Sequence, residues 1–488
     1  MSSSTSYADV IPRALSYLSD SPTQFHNCSN MVKLLGDGFS ELSEKEKWEG
    51  TLKPGGLHFF TRNSSTLVAF AIGGAYDPLQ PGGFEVIVGH SDSPNLRIKP
   101  CSGGKASAPG GVKQLNVECY GGGLWHTWFD RDLSLAGRVV VKESDGRYVQ
   151  RLVDVKKPVC RVPSLCIHLQ NQEERAAFKV NKENHLQPIF AQAVKETLGA
   201  KVSDGDGDGD GSSAWQASQE PLLLQIVASS LGIKVEQIAD FELSLYDVQP
   251  ASLGGANDEF LYSARLDNEA TCFTAVDSLK RFSLSSSFSS SPDVAMICLF
   301  DHEEIGSATL CGAGSPILGE SVRRITEALS GGSTTEENFQ IVLRKSFVFS
   351  VDMAHAIHPN YASKHDKNHA PSLNGGMVIK SNANQRYTTS SVTGFIVREI
   401  GRRVGATVQE FVVRNDCPCG STTGPIISQR TGMRCVDLGM SQLSMHSCRE
   451  TMGSKDLEQC IILFEGFFKL FRELDDHCFF ESSCIRCP

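Results

Sequence analysis

The residues that most constrain the fold are 294–307, because a continuous apolar run is followed at once by ionisable groups. Residues 294–300 read VAMICLF, and the next four are Asp301, His302, Glu303 and Glu304. A short run of this kind predicts a strand that is buried on both faces. Charged groups packed at the end of such a strand need a cation or other partners to hold them. A solvated loop after a core strand is the alternative on this stretch alone.

The pattern of an apolar strand followed by an imidazole or a carboxylate recurs along the chain. The polar residues that it singles out, together with one acid at a predicted helix start, are His90, Asp92, Asp267, Asp352 and His446. Because strands alternate with helices, we predict an α/β fold with a three-layer catalytic domain on a mixed, largely parallel sheet. In open α/β sheets, ligand crevices form at the carboxyl ends of the strands. We therefore expect these side chains to converge.

The expected cluster contains two imidazoles and three carboxylates, from His90, Asp267, Glu304, Asp352 and His446. This donor set suits zinc or a similar divalent ion. A single catalytic zinc needs about three protein ligands, so five suffice for two ions that share one carboxylate. Such ions lie about 3.5–4 Å apart and lower the pKa of bound water to about 7. Glu303 is the spare carboxylate, and we predict that it passes a proton from water to a leaving amine.

Residues 99–249 differ in character from the segments on either side. They contain glycine-rich turns between strand-like runs, a helical pattern at residues 183–198 and an alternating Asp-Gly segment at residues 204–211. The Asp-Gly segment lacks the downstream glutamate of an EF-hand, so it is interpreted as a flexible acidic loop. We predict an inserted β-rich domain here, between catalytic-domain parts at residues 1–98 and 250–488.

Composition narrows the range of partners. The 488 residues include 46 basic and 56 acidic residues, for a formal net charge of -10. This balance argues against nucleic acid as the main partner, and no apolar run approaches the roughly 20 residues of a membrane-spanning helix. The first residues lack the basic and apolar regions of a signal peptide. Sixteen cysteines are too sparse for a disulfide scaffold, and the group Cys478, Cys484 and Cys487 matches no zinc spacing. We therefore expect a cytoplasmic protein.

Five motifs together point to a known family. They are GHSDSP at residues 89–94, RLDN at 265–268, DHEEIGS at 301–307, SVDMAHA at 350–356 and LSMHS at 443–447. They resemble the motifs of the aspartyl aminopeptidase family of di-zinc exopeptidases, and the match covers nearly the whole chain. The run GGGLWHTWFDRDL at residues 121–133 is similar to the inserted domain of that family.

The resemblance implies a role for each predicted ligand. His90 and Asp352 would bind one zinc ion, Glu304 and His446 would bind the other, and Asp267 would bridge both. Asp352 would also contact the substrate. The family removes an unblocked N-terminal Asp or Glu from peptides. It assembles as a dodecamer built from dimers, with the inserted domain in the dimer contact.

The resemblance also implies Glu303 as the general base and a substrate contact, with Asp92 in support. His355 and Lys380 match substrate-contacting positions, and His168 matches a histidine that reaches the active site of a neighbouring subunit. A lysine suits the carboxylate of an acidic side chain. From the residues alone, Lys380 would be read as a solvent-exposed lysine, and the two histidines would carry no signal of their own.

Three alternatives remain open on the sequence. A related di-metal hydrolase would prefer neutral N-termini or acyl-amino acids. A non-catalytic shell protein would bind peptides without cleaving them. Manganese or cobalt would take the place of zinc in either ion position.

Overall fold

A computed structural model describes residues 7–103, 109–192, 214–332 and 334–477. The Asp-Gly segment at residues 204–211 and the cysteines at 478, 484 and 487 lie outside the described residues. The chain divides into two compact units: unit 1 comprises Met1–Asp92, Ala251–Met445 and Glu450–Pro488, and unit 2 comprises Ser93–Pro250 and His446–Arg449. No sequence signal indicated that residues 446–449 join unit 2.

The described residues form twenty strands, numbered in chain order. They are β1 Ser40–Glu41, β2 Leu57–Arg62, β3 Thr66–Ile72, β4 Phe84–His90, β5 Asn95–Gly103, β6 Val112–Tyr120, β7 Leu133–Lys142, β8 Tyr148–Asp154, β9 Ile189–Gln192, β10 Ile238–Asp247, β11 Ser252–Gly254, β12 Phe260–Ser263, β13 Val294–Phe300, β14 Phe347–Val351, β15 Ala354–His355, β16 Met377–Ser381, β17 Val408–Val412, β18 Arg434–Gly439, β19 Ser441–Leu443 and β20 Glu450–Gly453.

The described residues also form eleven α-helices. They are α1 Val10–Ser19, α2 Gln24–Leu35, α3 Gln172–Ala176, α4 Pro221–Leu231, α5 Leu266–Ser283, α6 Ser286–Ser290, α7 Ile317–Leu329, α8 Glu336–Lys345, α9 Ser391–Val404, α10 Thr423–Thr431 and α11 Asp456–His477. Among the helices described here, none is both long and apolar enough to span a bilayer.

Nine strands of unit 1 form its main sheet, in the order β1-β2-β3-β13-β4-β14-β18-β16-β17. The central pairs β13–β4, β4–β14 and β14–β18 are parallel, as are β1–β2 and β16–β17. The antiparallel pairs are β2–β3, β3–β13 and β18–β16. The sheet is therefore mixed and largely parallel, as predicted.

Side chains of the central strands alternate between two hydrophobic cores, because successive residues of a strand point to opposite faces. In β13, Ile297 packs into the core shared with α5 and α11, whereas Cys298 packs into the core shared with α7, α8 and α10. All seven residues of Val294–Phe300 are buried. Helices thus cover both faces of the sheet, and the predicted three-layer α/β class is confirmed.

Unit 1 also contains a five-stranded sheet, in the order β11-β12-β20-β19-β15. The sheet of unit 2 has six strands, in the order β8-β7-β10-β5-β6-β9, and every neighbouring pair is antiparallel. Unit 2 is β-rich, as predicted for the insertion, while its role in dimerisation stays a prediction. The helix expected at residues 183–198 is wrong at Ile189–Gln192, which forms β9 and pairs with β6.

Candidate active site

Three neighbouring parallel strands of the main sheet end at the same edge. His90 is the last residue of β4 and lies in register with Phe300, the last residue of β13. On the other side of β4, β14 ends at Val351, and Asp352 follows directly. Since the carboxyl ends of parallel strands border the ligand crevice of an α/β sheet, the polar residues that follow them emerge side by side.

The imidazole of His90 lies at the centre of the cluster and is only 1% exposed. Its Nε2 is 3.3 Å from Asp267 Oδ1 and 3.4 Å from Asp352 Oδ1. On the opposite side of the ring, Nδ1 is 3.0 Å from the carbonyl oxygen of Asp92 and 3.5 Å from Asp92 Oδ1. Metal-binding histidines are commonly held in this way, with one nitrogen oriented by a carbonyl or carboxylate and the other facing the ion.

Asp267 is positioned at the start of α5, where the backbone is not helical at Asp267 and Asn268. Its N–H donates to Glu450 Oε2 at 3.0 Å. The side-chain amide of Asn268 donates to the carbonyl oxygen of Val351 at 2.8 Å. These two bonds fasten the helix start to β20 and to the end of β14, so the Asp267 carboxylate faces His90.

Asp92 fixes the acidic pair that follows β13. Glu303 and Glu304 lie on a short 3₁₀ turn at Glu303–Ile305. The N–H of Glu303 donates to Asp92 Oδ1 at 3.1 Å, and the N–H of Glu304 donates to Asp92 Oδ2 at 3.2 Å. One buried carboxylate therefore holds the backbone of both residues beside His90.

The chemistry of this donor set fits a divalent cation. Ligand atoms of His90, Asp267 and Glu304 all lie within 4.8 Å of one another, and Asp352 also approaches His90 Nε2. Buried carboxylates repel one another unless a cation or hydrogen-bond donors balance them. An imidazole nitrogen together with carboxylate oxygens is a ligand set that zinc takes.

Crowding of these charges shifts two pKa values. Burial raises the pKa of Glu303 to about 8; the positive charge of His90 opposes the shift, while Asp352 and Glu304 reinforce it. Burial opposes the charged form of His90, yet hydrogen bonds to Asp267, Asp352 and Asp92 raise its pKa well above the ordinary value. A dication held by the same carboxylates would lower both pKa values, because it adds positive charge at this point.

His302 belongs to a separate hydrogen-bonded chain. Its Nδ1 is 2.8 Å from Thr309 Oγ1 and 3.4 Å from Cys311 Sγ, whereas its Nε2 is 3.4 Å from Asp301 Oδ2. The thiol and the carboxylate thus contact different nitrogens of one ring, and these nitrogens point in different directions. Such a chain suits a structural role in the loop after β13 better than the chelation of one ion.

Lys380 is buried, which excludes the interpretation of a solvent-exposed lysine. It lies on β16 and is 2% exposed. Its Nζ donates to the carbonyl oxygen of Met353 at 2.8 Å and to Asp352 Oδ2 at 3.4 Å. The ring of Tyr387 lies 5.5 Å from Nζ. A fixed ammonium group therefore stands directly beside the carboxylate cluster.

His355 lies on the short strand β15, next to the same group of residues. Its ring is solvent-accessible and makes an edge contact with Phe411, with ring centroids 5.7 Å apart. Surrounding protein atoms lower the pKa of His355, and the positive charge of Lys380 lowers it further. The neutral imidazole is therefore favoured near pH 7.

His168 and His446 belong to unit 2, so their assignments as substrate contact and metal ligand stay predictions. His168 is exposed on the 3₁₀ turn Ile167–Leu169. Nδ1 of His446 is 2.9 Å from the carbonyl oxygen of Gly122. When Nδ1 donates to that oxygen, Nε2 carries the lone pair that a metal ligand needs.

A family model described as Aminopeptidase I zinc metalloprotease (M18) matches residues 17–468 of the 488. The chain belongs to this family. The M18 chain is therefore a metallo-aminopeptidase, which confirms the predicted enzyme class and argues against a non-catalytic shell. The zinc in the family description agrees with the donor set of the cluster.

Relatives of the M18 chain confirm the resemblance to aspartyl aminopeptidases. It is 43% identical to a probable aspartyl aminopeptidase of Ricinus communis over 477 residues, covering 94% of this chain and 95% of the relative. It is 41% identical to an aspartyl aminopeptidase of Dictyostelium discoideum over 474 residues, covering 94% and 96%.

Solved structures agree with the fold of the M18 chain. A cryo-EM structure of a complex of Ape4 and Nbr1 matches with a TM-score of 0.89 and 42% identity, covering 96% of this chain and 86% of that one. The S. cerevisiae mApe1 dodecamer matches with a TM-score of 0.84 and 31% identity, covering 97% and 99%.

Three residues that support the site of the M18 chain were not predicted from the sequence. Asn268 and Glu450 fix the backbone around Asp267, and Tyr387 borders Lys380. Asn268 stands inside the RLDN motif, so its position offered a signal. Glu450 and Tyr387 lie in segments without periodicity or a recognisable ligand spacing, and only the folded structure reveals them.

Proposed function

We propose that this chain releases N-terminal aspartate and glutamate from peptides whose α-amino group is unblocked. The observation that carries the proposal is the buried ammonium group of Lys380, 3.4 Å from Asp352 Oδ2. An acidic side chain would pair with this cation, whereas a neutral side chain would leave the ammonium without a substrate partner. The relatives named aspartyl aminopeptidase support the same specificity.

Two zinc ions per subunit are proposed as the cofactors, with manganese or cobalt as alternatives. His90, Asp267, Asp352 and Glu304 would hold them, with Asp267 shared, while the assignment of His446 as a further ligand rests on the resemblance alone. When bound, the ions would supply Lewis-acid activation of water and of the scissile carbonyl. The convergence of His90, Asp267 and Glu304 supports this arrangement.

Glu303 acts as the general base in the proposed reaction. Its carboxylate accepts the proton of the attacking water and delivers it to the leaving amine nitrogen. Asp92 holds Glu303 in place by accepting its backbone N–H. Glu303 and Asp352 also contact the substrate, because carboxylates suit the α-ammonium group of a free N-terminus.

The proposed assembly is a homo-oligomer, namely a dodecamer built from dimers in which His168 reaches the active site of a neighbouring subunit. Three apolar side chains beside His168 support this: Leu165, Ile167 and Leu169 are 49%, 61% and 72% exposed. Neighbouring exposed apolar groups of this kind mark interaction surfaces. The structural relative mApe1 of S. cerevisiae is described as a dodecamer, which supports the same assembly.

The proposed location is the cytoplasm. The thirteen cysteines of the described residues are all free thiols, and eight of them are buried. Free thiols are typical of proteins that fold in a reducing compartment. Disulfide mapping of the protein isolated under thiol-blocking conditions would contradict the proposal if it found these cysteines paired.

Four substrates tested side by side decide the proposed function. We expect rapid cleavage of aspartyl and glutamyl peptides, slow cleavage of a leucyl peptide and none of an N-acetyl-aspartyl peptide. Metal analysis before and after chelation should show loss of the ions together with loss of turnover. Preference for the leucyl or acetylated substrate would favour the related di-metal hydrolase instead.

A further inference from the structure

We propose that Asp437 is a positioning residue that sets the preference for acidic substrates. The inference rests on the proposed function, because it concerns the side chains that surround Lys380. Two loops meet next to Lys380: residues 382–390 carry Tyr387, whose ring lies 5.5 Å from Lys380 Nζ, and residues 414–422 carry Cys419. Tyr387 and Cys419 pack with Phe411 in one small hydrophobic cluster.

Each oxygen of the Asp437 carboxylate holds one of the two loops. Asp437 lies on β18 and is 0% exposed. Its Oδ2 accepts the backbone N–H and the hydroxyl of Thr388, both at 2.6 Å, and its Oδ1 accepts the hydroxyl of Thr422 at 2.5 Å. Thr388 follows Tyr387 directly, so the carboxylate fixes the backbone of the residue that borders Lys380.

The start of α10 is shaped to receive this carboxylate. A side chain at Gly424 would place its Cβ 2.5 Å from both carboxylate oxygens of Asp437, so the absence of a side chain there permits the approach. Thr422 is the N-cap residue of α10, yet its hydroxyl makes no capping bond to the helix and donates to Asp437 instead. A negative charge is stabilised at a helix N-terminus.

Other bonds between the two loops are weaker supports. Arg386 Nε donates to the carbonyl oxygen of Gly420 at 3.3 Å, and Ser421 Oγ donates to the carbonyl oxygen of Arg386 at 3.2 Å. Both bonds lie at the solvent-exposed surface. The buried, charge-assisted bonds to Asp437 are the stronger ones. Thr389 Oγ1 also accepts the backbone N–H of Asp437 at 3.0 Å, and this bond does not depend on the carboxylate. Loss of the carboxylate therefore loosens the backbone of Thr388 and Tyr387 without detaching the loop, and it leaves the residues that carry the chemistry in place.

The test compares kcat/KM for aspartyl and alanyl p-nitroanilides in three variants. In Asp437→Asn an NH2 group replaces one carboxylate oxygen and faces hydroxyl or N–H donors. We therefore expect kcat/KM for the aspartyl substrate to fall about 10- to 100-fold, mainly through a higher KM. The alanyl value should stay within about threefold, and the metal content should be unchanged. Thr388→Val keeps the backbone N–H but loses the hydroxyl, so kcat/KM for the aspartyl substrate should fall about 3- to 10-fold. Thr388→Ser keeps both donors and should retain the wild-type preference.

The outcomes separate this role from the proposed function. If the wild-type enzyme shows no preference for acidic substrates, both the proposed function and the role of Asp437 are contradicted. If the wild-type enzyme prefers the aspartyl substrate and the folded variants keep that preference, only the role of Asp437 is overturned. Equal losses on both substrates would also overturn it, because they indicate a merely structural role. If Asp437→Asn does not fold, Thr388→Val decides the question by the same ratio.

Discussion

Replacing Lys380 with methionine removes a positive charge from a buried position and keeps most of the side-chain volume. Lys380 is 2% exposed, and its Nζ already donates to the carbonyl oxygen of Met353 at 2.8 Å. A substrate carboxylate at this ammonium would gain a charge-assisted hydrogen bond with a net value of about 1.5–3 kcal/mol. At about 1.4 kcal/mol per decade, the variant should lose about 10- to 150-fold in kcat/KM for aspartyl substrates.

The assay is the ratio of kcat/KM values for aspartyl and alanyl substrates, measured together with metal content. A neutral substrate side chain makes no ion pair with Lys380, so the alanyl value should fall only as far as metal binding is weakened, which the metal content reports. Lys345→Met is a matched control, because Lys345 Nζ also donates to a backbone carbonyl, that of Pro81 at 2.9 Å. Lys345 precedes β14, whereas Asp352 follows it. An unchanged ratio in Lys380→Met with the metal intact would refute the assignment of acid recognition to Lys380.

Three further predictions test the site and the fold. Glu303→Gln should lower turnover about 10²- to 10⁴-fold while the metal content stays at the wild-type level; unchanged turnover would remove Glu303 from the mechanism. Chelation should lower Tm, and metal added back at about 100 times its Kd should restore about 2.7 kcal/mol of stability; a Tm that does not respond would contradict a metal bound to the folded state. Burial raises the pKa of Asp456 to about 7, against the effect of N–H donors from Gly376 and Asn374. Between about pH 4 and 7 the folded state keeps a proton that the unfolded state has lost, so stability should fall with rising pH by up to about 1.4 kcal/mol per unit. Asp456→Asn should remove this contribution to the dependence of unfolding free energy on pH. Equal slopes in the wild type and the variant would contradict the raised pKa of Asp456.

The central strands were predictable because their signal is local. Val294–Phe300 is a continuous apolar run, and β13 begins and ends at these residues. Residues 84–89 are also apolar apart from Glu85, and β4 extends one residue further, to His90. A strand buried on both faces favours apolar side chains at nearly every position, so such a run in the sequence predicts the strand. Glu85 is the exception in β4, where it is buried.

Elements defined by distant partners were not predictable from the sequence. Residues 189–192 follow a helical pattern, yet they form β9 because β6 offers an edge for pairing. Tertiary pairing overrides local propensity in such short segments. Residues 446–449 join unit 2, and Cys448 packs into its hydrophobic core. No property of a single cysteine in the sequence indicates which core will receive it.

The residues of the candidate site also fall into two groups: those whose position the sequence predicts and those whose position depends on tertiary packing. His90, Asp352 and the pair Glu303 and Glu304 stand at strand ends, and parallel strands bring their ends to one edge whatever the loops do. Lys380 also ends a short predicted strand, at residues 376–380, but the residues alone favour a solvent-exposed lysine there. The structure buries it among Met353, Asp352 and Tyr387, contacts that depend on how β16 and the following loop pack.

Asp352 connects the chemistry of the site with its specificity. Its Oδ1 lies 3.4 Å from His90 Nε2, and its Oδ2 lies 3.4 Å from Lys380 Nζ. A change at Lys380 therefore alters the charge balance of a carboxylate that also faces the metal-binding cluster. Activity on one substrate cannot separate the two effects, since weaker metal binding and weaker recognition both lower it. The ratio between acidic and neutral substrates can separate them, because the metal contribution is common to both and cancels.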